Sequence, residues 1–169
     1  MRQFFVVVLA LALFSCTGNR KQAETAATFE LDNLLAIAEQ EVDQTVTVSG
    51  FVTHTCKHSG KKCFIVGESQ KTSLRVDVDA DGEIEIFTPD LIGSKLAITG
   101  VLKEQHISQE AIDEMEKSVK IAEEGGAAPE ACATELQSLN EMRQWMKDRG
   151  KDYYAMYYME GLKYVVLDN

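Results

Sequence analysis

Hydrophobic and polar positions follow different periods along the chain, and each change of period marks a structural element. From residue 29 to residue 41 apolar side chains recur with helical spacing, which predicts a helix with one buried face. Residues 45–52 then alternate strictly and are rich in β-branched side chains, which predicts a strand. Residues 63–66 and 73–78 predict two further strands. After residue 28 the chain is therefore expected to begin with a helix followed by a small sheet.

Residues 42–52 and 92–102 share one pattern: an entry turn, alternation, a polar residue followed by glycine, and an apolar exit. The two glycines are Gly50 and Gly100. A glycine within a strand predicts a bulge or a sharp bend. Strands that bend in this way are expected where a short sheet closes on itself, so the repeated pattern favours a barrel.

The period becomes helical again beyond the second copy of this pattern. Ser108 can cap a helix that continues to Glu124, and a Gly-Gly pair follows it. Pro129 suits the first turn of a second helix, and Gly150 suits its end. Residues 107–150 therefore predict an antiparallel helical hairpin.

The last part of the chain, residues 151–169, contains all five tyrosines and returns to strand-like composition. Met159-Glu160-Gly161 lies between two aromatic and apolar segments, a pattern typical of a β-hairpin turn. We therefore predict a C-terminal hairpin.

Residues 46–52 and 90–100 resemble strands of the OB-fold, a five-stranded Greek-key barrel. With the leading helix, they resemble the small exported OB-fold lipoproteins of gut bacteria. The resemblance implies an α+β fold, mainly β: an OB-like barrel over residues 29–106, with an N-terminal helix. The helical hairpin is inserted before the last strand, and residues 151–169 complete the barrel. The chain departs from the OB-fold pattern because no helix is predicted between the third and fourth strands.

The first residues of the chain have the features of an export signal. An unbroken apolar run over residues 4–14 is too short to cross a bilayer as a helix. Leu13-Phe14-Ser15-Cys16 resembles the lipobox of bacterial lipoproteins, which implies removal of residues 1–15 and lipidation of Cys16. Residues 16–28 are then a lipidated tether, and we expect a bacterial cell-envelope location, on the outer membrane facing the periplasm. An ordinary cleaved secretion signal is the alternative.

The composition is that of a globular domain, with 169 residues of which 45% are hydrophobic and 26% charged. The formal net charge of −10 argues against nucleic acid as a partner, because binding to phosphates requires a basic surface. The sequence contains no Ser–His–Asp arrangement, phosphate-binding loop, dinucleotide fingerprint or CxxC motif. We therefore do not predict an enzyme.

Reactive side chains are concentrated between the first two strands, where His54, Cys56, His58 and Cys63 fall within ten residues. His54, Cys56 and His58 share the parity of the inward-facing valines, so regular alternation points them into one end of the barrel. Thiolate and imidazole ligands suit zinc, and Cu(I) is also compatible. The sequence therefore predicts a metal site at these four residues, with Cys132 as a possible additional ligand.

Two other interpretations of the same cysteines stay open. A disulfide between Cys56 and Cys63 would contribute about 2–3 kcal/mol in the chain-entropy model, and it would leave Cys132 as a packed thiol. A redox-active thiol pair, activated by the neighbouring histidines and lysines, is the other.

Three functional hypotheses follow. The first is a lipid-anchored cell-envelope OB-fold protein that binds a ligand or transition metal through the Cys/His cluster. The second is a structural protein-interaction module with a Cys56–Cys63 disulfide, which presents its helical hairpin and Tyr-rich sheet to an envelope protein partner. The third is a thiol redox protein.

Overall fold

A computed structural model describes residues 27–167. The predicted signal over residues 1–15, Cys16 and all but the end of the tether lie outside the described residues. The strands are β1 (Ala27–Glu30), β2 (Thr45–Thr55), β3 (Lys62–Val66), β4 (Ser73–Val78), β5 (Lys95–Ser108) and β6 (Tyr153–Leu167). The helices are α1 (Leu31–Ala36), α2 (Ala38–Glu41), α3 (Gln109–Glu124) and α4 (Pro129–Arg149), with a 3-10 turn at Pro89–Leu91.

Five strands form a closed barrel in the order β2-β3-β4-β6-β5, and β5 pairs back to β2. The β4–β6 pair is parallel, and the other four pairs are antiparallel. The closing pair joins the two copies of the repeated pattern, with Val46 opposite Gly100 and Gly50 opposite Leu96. This arrangement confirms the predicted OB-like α+β fold, mainly β.

The N-terminal segment differs from the single helix predicted over residues 29–41. Phe29 and Glu30 belong to β1, which pairs in parallel with β2 outside the barrel. Ile37 separates α1 from α2, because its amide bonds to the carbonyl of Leu34 and ends the first helix. Leu31 and Leu34 are fully buried in the barrel core. This short helix therefore covers the barrel interior, although the segment between β4 and β5 contains only the 3-10 turn.

The predicted C-terminal hairpin is wrong, because β6 is one continuous strand through Gly161. A Cβ atom at Gly161 would lie 2.8 Å from Cγ1 of Val76 on β4. Gly161 faces Gly100 across the β5–β6 ladder, at a point where the register shifts. The glycine therefore permits close packing of three strands and does not form a turn.

The helical hairpin is confirmed at both helices. The Ser108 hydroxyl accepts a hydrogen bond from the amide of Ala111, Pro129 lies in the first turn of α4, and Gly150 has φ 60°. The hairpin has a hydrophobic core of its own, separate from that of the barrel. Its buried members are Ile107, Ile112, Val119, Cys132, Leu139 and Met146.

The connection between β2 and β3 and the helical hairpin lie at opposite ends of the barrel. Strand β2 runs antiparallel to β5, so the last residues of β2 lie beside the start of β5, with Phe51 opposite Lys95. The hairpin leaves the other end of β5, at Ser108. Among the helices of residues 27–167, none is long and apolar enough to cross a membrane.

Candidate functional sites

The turn between β2 and β3 is held by main-chain hydrogen bonds. The amide of Cys56 donates to the carbonyl of Lys62 at 2.9 Å, and the amide of Gly60 donates to the carbonyl of Cys56 at 2.8 Å. Gly60 has φ 63°, in the left-handed region that favours glycine. The turn, which contains the predicted ligands Cys56 and His58, is therefore held in a defined backbone conformation.

His54 does not face the barrel interior, contrary to the prediction. The β2–β3 register shifts between Val52 and His54, so the alternation of inward and outward residues changes by one position. His54 is exposed, and Thr55 after it is buried. The imidazole lies outside the barrel, with its centroid 5.8 Å from that of the Phe64 ring.

Cys63 faces the interior and pairs with Thr55 on β2. Burial, and secondarily the charge of Asp77, raises the pKa of the Cys63 thiol to about 12. Cys56, Cys63 and Cys132 are all free thiols. The structure therefore contains no Cys56–Cys63 disulfide.

Cys56 is partly exposed, and its surroundings lower the pKa of its thiol, whereas those of Cys63 raise it. The Ser59 hydroxyl donates a hydrogen bond to Sγ of Cys56 at 3.3 Å. This bond, followed by hydrogen bonds from the amides of Ser59, His58 and Gly60, lowers the pKa of Cys56 to about 7. The pKa therefore lies close to neutral pH, where this thiol populates the thiolate, the form that binds metals and attacks electrophiles.

The five predicted ligands occupy different surroundings. His54 and His58 are exposed, Cys56 is partly exposed in the turn, and Cys63 lies inside the barrel. Cys132 lies in the hairpin core. Across residues 27–167 no three His, Cys, Asp or Glu side chains are arranged to hold a metal ion. Binding of zinc or Cu(I) stays a prediction from the sequence.

A second candidate site is an open groove of about 470 Å³ between α3 and α4. We call it the hairpin groove. Val119 and Leu139, both buried, lie in it together with Met115 and Met142. Its other lining residues are Ser118, Ala122, Thr134, Glu135 and Ser138.

The hydroxyl groups in the hairpin groove are satisfied within their own helices. Ser118 donates to the carbonyl of Glu114, Thr134 to that of Glu130, and Ser138 to that of Thr134, at 2.9–3.2 Å. Such back-bonded hydroxyls need no partner in a ligand. The groove is therefore mainly apolar although four of its nine lining residues, Ser118, Thr134, Glu135 and Ser138, are polar, and 41% of the Met115 surface is exposed.

Charge is distributed unevenly along the hairpin. At its base, Nη2 of Arg143 on α4 lies 2.8 Å from Asp113 and 2.7 Å from Glu116, both on α3. The stretch 121–142, which comprises the tip of the hairpin and most of α4, contains no Lys or Arg and five glutamates: Glu123, Glu124, Glu130, Glu135 and Glu141. The base is therefore held by ion pairs between the helices, and the stretch 121–142 carries an excess of negative charge.

The sequence pattern predicts the hairpin but not its groove. The available signal was the pair of small residues four apart on each helix, at positions 118 and 122 and at positions 134 and 138. Small residues at i and i+4 lie on one helix face and leave space there. No protein-family model matches this chain, and no curated protein is significantly similar to it.

Proposed function

We propose that this chain is a lipid-anchored cell-envelope protein that binds another protein by accepting one of its helices in the hairpin groove. The observation that carries the proposal is the open apolar groove between α3 and α4. Burial of apolar surface is the main favourable term in association, and an amphipathic helix in an apolar groove is a recurrent mode of recognition.

The side chains of the hairpin groove suit this role. Met115 and Met142 are flexible and polarisable, so they adapt to the side chains of a partner. Ser118, Ala122 and Ser138 are small and leave room for larger side chains to enter. The volume of about 470 Å³ lies within the range of about 300–1,000 Å³ that is typical of ligand sites.

The hairpin is an addition to the barrel. The five strands close without it, because β5 and β6 both pair directly with other strands of the barrel. Its hydrophobic core is separate from the barrel core. An insertion of 44 residues that closes no sheet is expected to serve a purpose other than barrel stability, and its exposed groove supports docking.

The lipid anchor in this proposal rests on the sequence. Cys16 follows an apolar run of signal-peptide length, and the lipobox resemblance implies a diacylglycerol on its thiol and an acyl group on its amine. These three acyl chains would exceed the two-signal requirement for stable membrane attachment. Incorporation of radiolabelled palmitate into the wild-type chain, and its loss in Cys16→Ser, would test this part independently of the groove.

Docking is tested by filling the hairpin groove. Ser138→Trp places a large side chain in the groove, and Asn140→Trp places the same side chain on an exposed position of α4 that does not line it. In cells expressing the full chain with a photo-crosslinking residue at position 118, we expect a discrete crosslinked species. Ser138→Trp should abolish it and Asn140→Trp should retain it. An equal effect of the two variants would contradict groove docking.

A second candidate function is thiolate chemistry at Cys56, either as a ligand of zinc or Cu(I) or as a redox thiol. The specific observation that favours it is the lowered pKa of Cys56, caused first by the Ser59 hydroxyl. Elemental analysis of protein purified without added metal tests the first form. Stoichiometric metal that is lost in Cys56→Ser but retained in Cys132→Ser would support it, and a metal-free wild type would oppose it.

A further inference from the structure

The charges around the hairpin groove identify the kind of helix that fits it. Resting on the proposed docking function, we infer that the groove binds an amphipathic helix whose apolar residues are flanked by Lys and Arg. Of the five glutamates in the stretch 121–142, Glu135 lines the groove itself. Glu123, Glu124 and Glu130 lie at the ends of the helices that form it.

Carboxylates at the base of the hairpin and in the stretch 121–142 differ in whether they are already neutralised. Towards the base of the hairpin, Glu114 on α3 pairs with Lys117, and Glu116 pairs with Lys120 and Arg143. Within residues 27–167, none of the five glutamates of the stretch 121–142 has a Lys or Arg partner. Their negative charges are therefore available to a cationic partner, in the same region as the apolar surface.

The same charges disfavour two other occupants. A second copy of this chain would bring its own glutamates of the stretch 121–142 to the groove, and each chain carries a net charge of −10. Like charges placed together across an interface are costly. An anionic lipid surface would be repelled for the same reason. A basic protein helix satisfies both the apolar groove and the acidic surroundings.

The length of the hairpin groove sets the spacing of the partner's apolar residues. From Met115 to Ala122 the helix α3 advances seven residues, which corresponds to about 10.5 Å at ~1.5 Å per residue. A docked helix therefore presents about two turns to the groove, with apolar side chains at i, i+3 or i+4, and i+7. Lys and Arg on both sides of this apolar stripe would lie near Glu135 and the neighbouring glutamates.

The inference is tested with synthetic helical peptides and the purified full chain in detergent. Three 18-residue peptides share one apolar stripe of Leu at i, i+4 and i+7, and their flanking residues are all Lys, all Gln or all Glu. A fourth keeps the Lys residues and replaces the Leu residues with Ser. By fluorescence anisotropy we expect the Lys–Leu peptide to bind at least about tenfold more tightly than the Gln–Leu peptide, with affinity that falls as salt rises. We expect no measurable binding of the other two.

Two triple variants with equal changes of charge separate local from global electrostatics. The triple substitution E123Q, E124Q and E130Q removes three charges beside the groove. The control, D81N, E83Q and E85Q, removes three exposed charges from the segment between β4 and β5. We expect the first to weaken binding of the Lys–Leu peptide about fivefold or more, and the control to change it less than twofold.

Each outcome distinguishes the inference from the function on which it rests. Equal binding of the Gln–Leu and Lys–Leu peptides, both lost in Ser138→Trp, would overturn the basic partner and retain groove docking. Equal binding of the Lys–Ser and Lys–Leu peptides would also overturn the inference, because charge alone would explain it. Failure of all four peptides to bind a wild type whose circular dichroism is that of a folded protein would overturn the inference. The crosslinking experiment would then decide whether the hairpin groove is a docking site.

Discussion

The β2–β3 turn and the helical hairpin, at opposite ends of the barrel, differ in how they bring candidate functional residues together. The β2–β3 turn is dense in reactive groups, yet the structure divides His54, Cys56 and Cys63 between the outer surface, the turn and the core. The helical hairpin has one cysteine, Cys132, which is buried, and instead offers an open, mainly apolar groove. The reactive residues of the β2–β3 turn are therefore close in sequence but do not converge on one site. The hairpin groove, by contrast, is lined by residues of two helices that are 12 to 27 positions apart in sequence, such as Met115 and Met142.

The contrast arises from local geometry. A single register shift before His54 changes which side chains face the interior. In the hairpin, helical spacing of small residues is preserved along both helices, so the space that they leave adds up along one face. The direction of the side chains near the β2–β3 turn thus depends on a β-bulge, which the alternation of polar and apolar residues does not reveal. The hairpin groove depends on a regular helical period.

The largest expected effect is a difference in thiol reactivity. Cys56 and Cys63 have pKa values of about 7 and about 12. With Ellman's reagent at pH 7 we expect the native chain to react at Cys56 at least about 100-fold faster than at Cys63, because the thiolate is the nucleophile. The Cys56 rate should rise as the pH increases through about 7 and level off about one pH unit higher, where the thiolate becomes the main form.

The matched variants for this experiment are Cys56→Ser and Cys63→Ser. Only the first should remove the fast phase in the native protein. A fast phase that survives Cys56→Ser would show that another thiol is the reactive one, and the contrast between turn and core would be lost.

The next effect compares the two hydrophobic cores. Ile98 is fully buried in the barrel, whereas Leu139 is 6% exposed and lines the hairpin groove. We expect Ile98→Ala to lower the free energy of unfolding by about 4 kcal/mol and Leu139→Ala by about 2 kcal/mol, since a site beside an open groove collapses more easily. Urea unfolding measures both. Equal losses would show that the hairpin core is packed as tightly as the barrel.

A smaller effect is expected at the base of the hairpin. Hydrogen bonds from Arg143 lower the pKa of Asp113, and those from Lys120 and then Arg143 lower the pKa of Glu116. Arg143→Gln should therefore destabilise the protein only slightly at pH 7, less than Leu139→Ala does, since these pairs are partly solvated. Lys117→Gln, at a more exposed pair, is the control and should have less effect.

The lowered pKa values of Asp113 and Glu116 also predict how the effect of Arg143→Gln on the free energy of unfolding changes with pH. A carboxylate whose pKa is lowered in the folded state contributes stability above its unfolded pKa of about 4, and this contribution is lost as the pH falls through the lower folded value. The difference in unfolding free energy between wild type and Arg143→Gln should therefore shrink on acidification below about pH 4. A difference that is constant from pH 7 to pH 3 would assign the loss to packing.

The smallest effect should come from Cys56→Ser on stability. Because Cys56 and Cys63 are free thiols, neither this substitution nor a reducing agent should move the urea midpoint by more than the error of measurement. A clear decrease in both cases would indicate a disulfide in the protein in solution.

The sequence predicted most of the barrel because its strands carry regular alternation. Strand β4 was placed at its observed bounds, and the caps of both long helices at Ser108, Pro129 and Gly150 were identified from residue type alone. The continuous course of β6 was missed, because a glycine needed for close packing against Val76 has the same local signature as one needed for a turn. Local pattern could not separate the two.

The candidate sites were less predictable for a related reason. The direction of His54 depends on the pairing of β2 with β3, and the groove depends on how α3 meets α4. The direction of His54 and the shape of the groove are each set by the packing of one segment against another. A single segment specifies its own period, and not the partner against which it packs.

The pairing of Ser108 with Tyr153 places the two ends of the 44-residue insertion side by side on neighbouring strands. A chain with a short turn in place of the two helices would need no rerouting of β5 or β6. The barrel and the hairpin can therefore diverge as separate modules, with new docking specificities arising on one scaffold while the sheet that supports them stays unchanged.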